Sequence, residues 1–153
     1  MTAVILSRKL SLEMPHHEAV SLVQEFQLWR DGGIGPGDTF GKDTAFMKPK
    51  SVVDLGLRKV HLETPNVTPR WNYLIETEKV EDPQAFTSDK ILVYGQLGYM
   101  RRAPYLLLTI LEPGHLQMES PELVKGLGIF YESEQAAIGK YFPDNEWIST
   151  GYD

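Results

Sequence analysis

The chain has 153 residues, 42% hydrophobic and 24% charged, a balance that fits one globular domain and excludes a disordered segment. It contains no cysteine, which excludes disulfides, thiolate nucleophiles and cysteine metal sites. A formal net charge of -6 argues against broad nonspecific binding of nucleic acid, but not against a local basic patch in the middle of the chain, where Lys42, Lys48, Lys50, Arg58, Lys59, Arg101 and Arg102 lie.

In chain order, the apolar run Val4–Leu6 predicts a first strand. Residues 1–10 carry Arg8 and Lys9 where the apolar region of a signal peptide would have to continue, and no membrane span is evident, so a cytoplasmic protein is expected. A helix is predicted over residues 15–30, with Ala19, Leu22, Val23 and Phe26 at helical spacing and Trp29 extending the face. Glu18 near its start and Arg30 at its end suit the helix dipole, and Gly32 and Gly33 stop it.

Residues 40–46 read as a helical turn or irregular loop, and 51–54 as the start of another turn. Residues 58–62 read as a strand carrying His61, residues 64–69 as a loop broken by Pro65 and Pro69, and 71–75 as a strand. Residues 76–86 form an acidic connector. The continuous apolar runs at 90–96 and 105–111 predict strands covered on both faces, joined as an antiparallel hairpin through residues 97–104. A turn at Pro113 and Gly114 leads to a C-terminal helix over residues 121–140, weakened by Gly126, Gly128 and Gly139 at about 1 kcal/mol each against alanine. Residues 143–153 read as a surface tail of a single domain spanning 1–153.

The chemistry available is that of Lys, His, Asp, Arg and Tyr. His61 and His115 are the candidates for proton transfer, since histidine titrates near neutrality; the competing reading is a backbone-bonded strand histidine and a solvated turn histidine. No His-x-x-x-His pair or other metal signature occurs, and neither a metal nor another cofactor is expected. Lys42 is suited to phosphate, and Asp43 to orienting a base or pairing with a cation. Gly41-Lys42 is followed by Asp43 rather than Ser or Thr, so no phosphate loop is present. Asp89 either caps a turn or orients a partner. Arg101 and Arg102, with Tyr94, Tyr99 and Tyr105 nearby in sequence, suggest a patch that holds phosphates and stacks bases.

Several blocks together resemble the YafO-type toxins of bacterial toxin–antitoxin operons. They are Glu25-Phe26-x-x-Trp29-Arg30-Asp31-Gly32, Phe40-Gly41-Lys42-Asp43, Val60-His61-Leu62, Thr87-Ser88-Asp89-x-x-Leu92-Val93-Tyr94, and Tyr105-Leu106-Leu107-x-x-Ile110-Leu111 with His115. The resemblance implies an α+β fold, a small antiparallel-sheet RelE-like domain with an N-terminal helix and a C-terminal helix. It also implies a ribosome-dependent mRNA interferase that cuts messenger RNA by metal-independent attack of the ribose 2'-hydroxyl, held silent by a YefM/Phd-like antitoxin. On these positions His61, His115, Asp43, Asp89 and Tyr94 are taken as the catalytic candidates, and Lys42, Arg101 and Arg102 as the RNA-phosphate contacts. The alternative is a noncatalytic protein-binding module diverged from that family, which accounts readily for the acidity. An enzyme requires these groups to converge on one site; a binding module leaves them dispersed.

Overall fold

The computed structural model describes residues 2–141. Its strands are β1 (Val4–Leu6), β2 (Phe40–Ala45), β3 (Arg58–Leu62), β4 (Ile91–Gln96) and β5 (Tyr105–Leu111). They form one sheet of order β1-β5-β4-β3-β2, antiparallel from β2 to β5, with β1 parallel to β5. Helices α1 (Arg8–Glu13) and α2 (His16–Arg30) follow β1, α3 (Lys50–Asp54) precedes β3, and α4 (Thr68–Glu76) follows it. Beyond β5 come α5 (Gly114–Met118) and α6 (Pro121–Tyr141). This is the α+β, mostly antiparallel, RelE-like arrangement that the blocks imply.

Strand β4 shows why the centre of the sheet is apolar throughout. Ile91 and Val93 join Val52 of α3 and Val124, Leu127 and Tyr131 of α6 in one core layer. Leu92 and Tyr94 point the other way, into a layer with Leu10 of α1 and Leu22, Val23 and Phe26 of α2. Each large aliphatic or aromatic side chain fully buried this way contributes roughly 1.5–3 kcal/mol relative to exposure. Leu106 and Leu108 face α6 and Leu107 faces α2; a bulge at Leu108, between the pairs of Val93 and Tyr94, then resets the phase, so Ile110 faces α2 and Leu111 the α6 side. Gly95 lies directly under Tyr131, and a Cβ there would overlap the phenol ring. Glu134 of α6, buried in the core, accepts from the backbone N–H and the Nε of Arg8, both at 2.9 Å, and so ties α1 to α6.

Two readings of the sequence are corrected, and one helix falls in a stretch that had none. Residues 40–45 are a strand, not a turn or loop: Asp43, Thr44 and Ala45 pair with Val60, Lys59 and Arg58. The segment is polar, and a bulge between Phe40 and Asp43 breaks the alternation that would have marked it. Residues 71–75 are helical, inside α4: Trp71 and Leu74 are buried at i, i+3 spacing, and Pro69 sits in the first turn. Residues 8–13 form a helix with Ser7 as N-cap, its hydroxyl accepting from the Leu10 N–H at 3.1 Å. The tail read at 143–153 lies outside the described residues. Among the described residues no helix is long and apolar enough to cross a membrane.

Candidate functional site

The ends of β3 and β4, with the turn into α5, bring one group of the candidate residues together. His61 and Ile91 are partners across β3 and β4, and Asp89 lies just before β4. The Gly114 N–H donates to the Asp89 backbone carbonyl at 2.7 Å, and Gly114 packs so closely on Ile91 that a Cβ would collide with it. The start of α5 is therefore pinned beside Asp89. The carboxylate of Asp89 accepts from the backbone N–H of His115 at 2.9 Å and lies 2.7 Å from its Nδ1. These hydrogen bonds, from the backbone first and then the ring, hold the Asp89 carboxyl below its usual range. Asp89 is therefore an ionised acceptor and Nδ1 of His115 the donor, which leaves Nε2 as the ring nitrogen not engaged by Asp89.

The ring of His115 meets that of His61 edge to face, with centroids 5.4 Å apart. His115 is 60% exposed on its side chain, whereas His61 is 4% exposed as a residue. The Ser88 N–H donates to Nδ1 of His61 at 2.8 Å, so the neutral ring carries its proton on Nε2. Burial, with the charges of His115 and Lys42 added, lowers the His61 imidazole to about 4. His61 is thus a neutral hydrogen-bond donor at physiological pH, and His115 presents its ring to solvent.

Two lysines complete the cluster. The charge of Lys42 reaches both His61 and Lys59. Lys59 shares a face of β3 with His61, two residues away, and its Nζ lies 5.0 Å from the centre of the Phe46 ring. Burial, then repulsion from Lys42, lowers the Lys59 ammonium below its usual range. Neither lysine forms an ion pair among the described residues. Two unpaired cations that act on each other and on His61 favour an anion near them.

The remaining candidates lie elsewhere. Asp43 and Tyr94 bond to each other at 2.7 Å on the α2 side of the sheet, opposite the histidines. Arg58 reaches both Asp43 and Tyr94, and Arg30 of α2 lies 3.7 Å from Asp43. Arg30 also sits 4.9 Å from the ring centres of Trp29 and Tyr105 and donates to the Tyr105 hydroxyl at 3.0 Å. Burial, followed by the Asp43 charge, pushes the Tyr94 phenol well above its usual range, so it stays protonated. Arg101 and Arg102 sit in the β4–β5 hairpin, beyond the far end of β4 from His61. The patch of Arg101 and Arg102 with three tyrosines is corrected accordingly: Tyr94 and Tyr105 belong to the Asp43 network, and Tyr99 alone stays with the arginines.

Sequence reasoning missed Lys59, Arg58 and Arg30. Lys59 was findable, because a residue two before His61 on a strand must share its face. Arg30 carried no comparable signal, since its partners come from β2 and β5. Among the described residues no group of three or more His, Cys, Asp or Glu side chains is placed to hold a metal ion.

A protein-family model described as Toxin YafO, type II toxin-antitoxin system, matches residues 27–133. The chain belongs to the YafO toxin family. The match runs from the last turn of α2 into α6 and takes in Lys42, Lys59, His61, Asp89 and His115. Comparisons with curated proteins and with solved structures give no match. Membership in the YafO toxin family places the chain among the toxins of type II toxin–antitoxin systems, whose role is to act against a cellular target until an antitoxin neutralises them.

Proposed function

We propose that this YafO-family chain is an endoribonuclease that cuts messenger RNA on the ribosome without a metal, and that the His115 cluster is its active site. The observation that carries the reading is the exposed Asp89–His115 pair, 2.7 Å apart, whose imidazole meets that of His61, the ring that also feels the charges of Lys42 and Lys59. Nε2 of His115 takes the proton of the ribose 2'-hydroxyl as the 2'-oxygen bonds to phosphorus. The ammonium groups of Lys42 and Lys59, with the Nε2–H of His61, stabilise the charge that builds on the non-bridging oxygens. The phosphorus–5'-oxygen bond then breaks, and Lys59, whose ammonium is held below its usual range by burial, supplies the proton to the departing oxygen. The products are a 2',3'-cyclic phosphate and a free 5'-hydroxyl.

Asp89 orients His115 and stabilises the imidazolium once it forms. Asp43 and Tyr94 support the sheet from its other side. The natural partners are the ribosome with its messenger and a YefM/Phd-like antitoxin, and the working compartment is the cytoplasm.

The test is primer-extension mapping of a defined messenger incubated with purified protein, with and without 70S ribosomes. Cuts that need ribosomes, and that fall about 10²–10⁴-fold in His115→Gln without loss of thermal stability, support the reading. His115 is exposed, so its replacement leaves the core untouched. Absence of cuts from folded, antitoxin-free protein would instead favour a noncatalytic binding module.

A further inference from the structure

The arginine pair Arg101-Arg102 is separated from the His115 cluster by the length of a strand. His61 pairs with Ile91 at the start of β4, whereas the hairpin opens beyond Gln96, where the strand pairs with Tyr105. Five residue steps along β4 span about 17 Å, and the turn adds to this, for a separation on the order of 20 Å. That distance equals about six nucleotide steps along a helical nucleic-acid strand at roughly 3.4 Å per nucleotide. One phosphodiester cannot touch both places.

The hairpin is built to display its tip. Leu97 and Met100 are buried under it, and Leu97 and Pro104 close its base with a 2.8 Å hydrogen bond. The turn closes from the Ala103 N–H to the Met100 carbonyl at 2.9 Å, which leaves Arg101 and Arg102 exposed at the apex and Tyr99 at 60% exposure beside them. Arg102 and Ala103 have φ of 69° and 40°, a region that L-residues other than Asn and Asp rarely occupy. Glycine at 102 would relieve that strain, yet the chain carries arginine there. Charge points the same way. Between Asp89 and Glu112 the sequence has no acidic residue, although the chain contains 21 in all. Arg101 makes no ion pair among the described residues.

We infer that the β4–β5 hairpin is a second RNA contact, distinct from the cleavage site, which grips phosphates of a folded RNA through Arg101 and Arg102 with Tyr99 available to stack. This rests on the ribosome-dependent reading above, and it identifies ribosomal RNA as the partner by chemistry: a phosphate ladder long enough to be held about 20 Å from the bond that is cut. The hairpin then sets how firmly the toxin sits on the ribosome, while the histidines and lysines set how fast it cuts.

The test compares wild type, R101Q/R102Q and R101K/R102K on 70S ribosomes carrying a defined messenger. The Gln pair is expected to raise the half-saturating ribosome concentration at least tenfold, leave the saturating rate within twofold, and reduce the log–log salt slope by about 1.4–1.8, the release expected from two phosphate contacts. The Lys pair keeps the charges and recovers most of the affinity. An unchanged half-saturation and slope would overturn the inference, as would an equal loss at saturating ribosome. Direct sedimentation of each protein with ribosomes needs no cleavage: if wild type binds without cutting and the Gln pair does not bind, the hairpin contact stands while the nuclease reading falls. If the Gln pair binds ribosomes normally but no longer binds the antitoxin, the hairpin is a protein contact and the inference is wrong.

Discussion

The two histidines of the site differ because one is buried and the other is not. His61 lies near the end of β3, between β2 and β4, with its imidazole lowered to about 4 by burial, then by the charges of His115 and Lys42, and its Nδ1 accepts from Ser88. In the unfolded chain the same group titrates near 6.5. Between those values the unfolded state binds more protons, so stability is fully present above about 6.5 and is lost as pH falls towards 4. The full loss is on the order of 3 kcal/mol for this one group. Thermal melts from pH 8 to pH 4 should show it as a falling midpoint that is flatter in His61→Asn, whose side-chain oxygen still accepts from Ser88. Proton NMR of the imidazole gives a direct check: a His61 midpoint near 6.5 would refute the burial argument. Sequence spacing selected both histidines and Asp89 but could not show that Asp89 pairs with His115, because the pair forms across the β4–β5 excursion.

Among the elements, β2 depends most on distant partners. Its Asp43 has a 17% exposed side chain and serves Tyr94 from β4, Arg58 from β3 and Arg30 from α2. Asp43→Ala leaves these donors without their acceptor, an expected loss of roughly 2–4 kcal/mol. Urea unfolding should show a lower midpoint at unchanged slope, with Asp43→Asn losing less because it still accepts from the Tyr94 hydroxyl. Because Asp43 faces away from the histidines, the saturating cleavage rate of its folded variants should stay within tenfold of wild type, against a loss of a hundredfold or more for His115→Gln. A hundredfold loss in Asp43→Asn would return Asp43 to the catalytic set. Next to it, Gly41 packs against the Phe86 carbonyl and Trp71, and the Lys42 N–H donates to that same carbonyl at 2.8 Å. Gly41→Ala is expected to cost about 1–3 kcal/mol by overpacking and to displace Lys42. A drop in both stability and cleavage rate would show this.

The legible elements were those whose own residues carry the pattern. β1, β3 and β5 were predicted with the observed bounds, β4 to within one residue, and α2 from its apolar face. β2 was not legible because its strand character comes from pairing with β3 across a bulge. α4 was misread because Trp71, Tyr73 and Ile75 alternate like a strand, while the burial that decides the matter falls on Trp71 and Leu74.

At the scale of the whole molecule, a net charge of -6 has to be reconciled with the proposed RNA target. The cations are not diluted evenly among the acids. Lys42 and Lys59 lie together unpaired, Arg101 and Arg102 crown an acid-free hairpin, and Asp89 is the carboxylate that pairs with His115. Exposed acidic residues lie elsewhere, among them Glu76, Glu78, Glu81 and Asp82 from the end of α4 onward and Glu122 and Glu132 on α6. Such an arrangement offers phosphate a local positive field inside a repulsive envelope, which slows encounter more than it weakens the docked contacts. Neutralising the envelope should therefore speed association and leave chemistry alone. Glu122→Gln/Glu132→Gln is expected to raise kcat/KM on ribosomes by a few-fold at low salt, with kcat unchanged. The gain should vanish near 0.5 M salt, where the screening length is only about 4 Å. Stopped-flow or initial-rate measurements across a salt series distinguish this from a contact effect. A gain that persists at high salt would mean that α6 touches the ribosome directly, and an unchanged rate at low salt would mean that the acidic envelope exerts no steering at all.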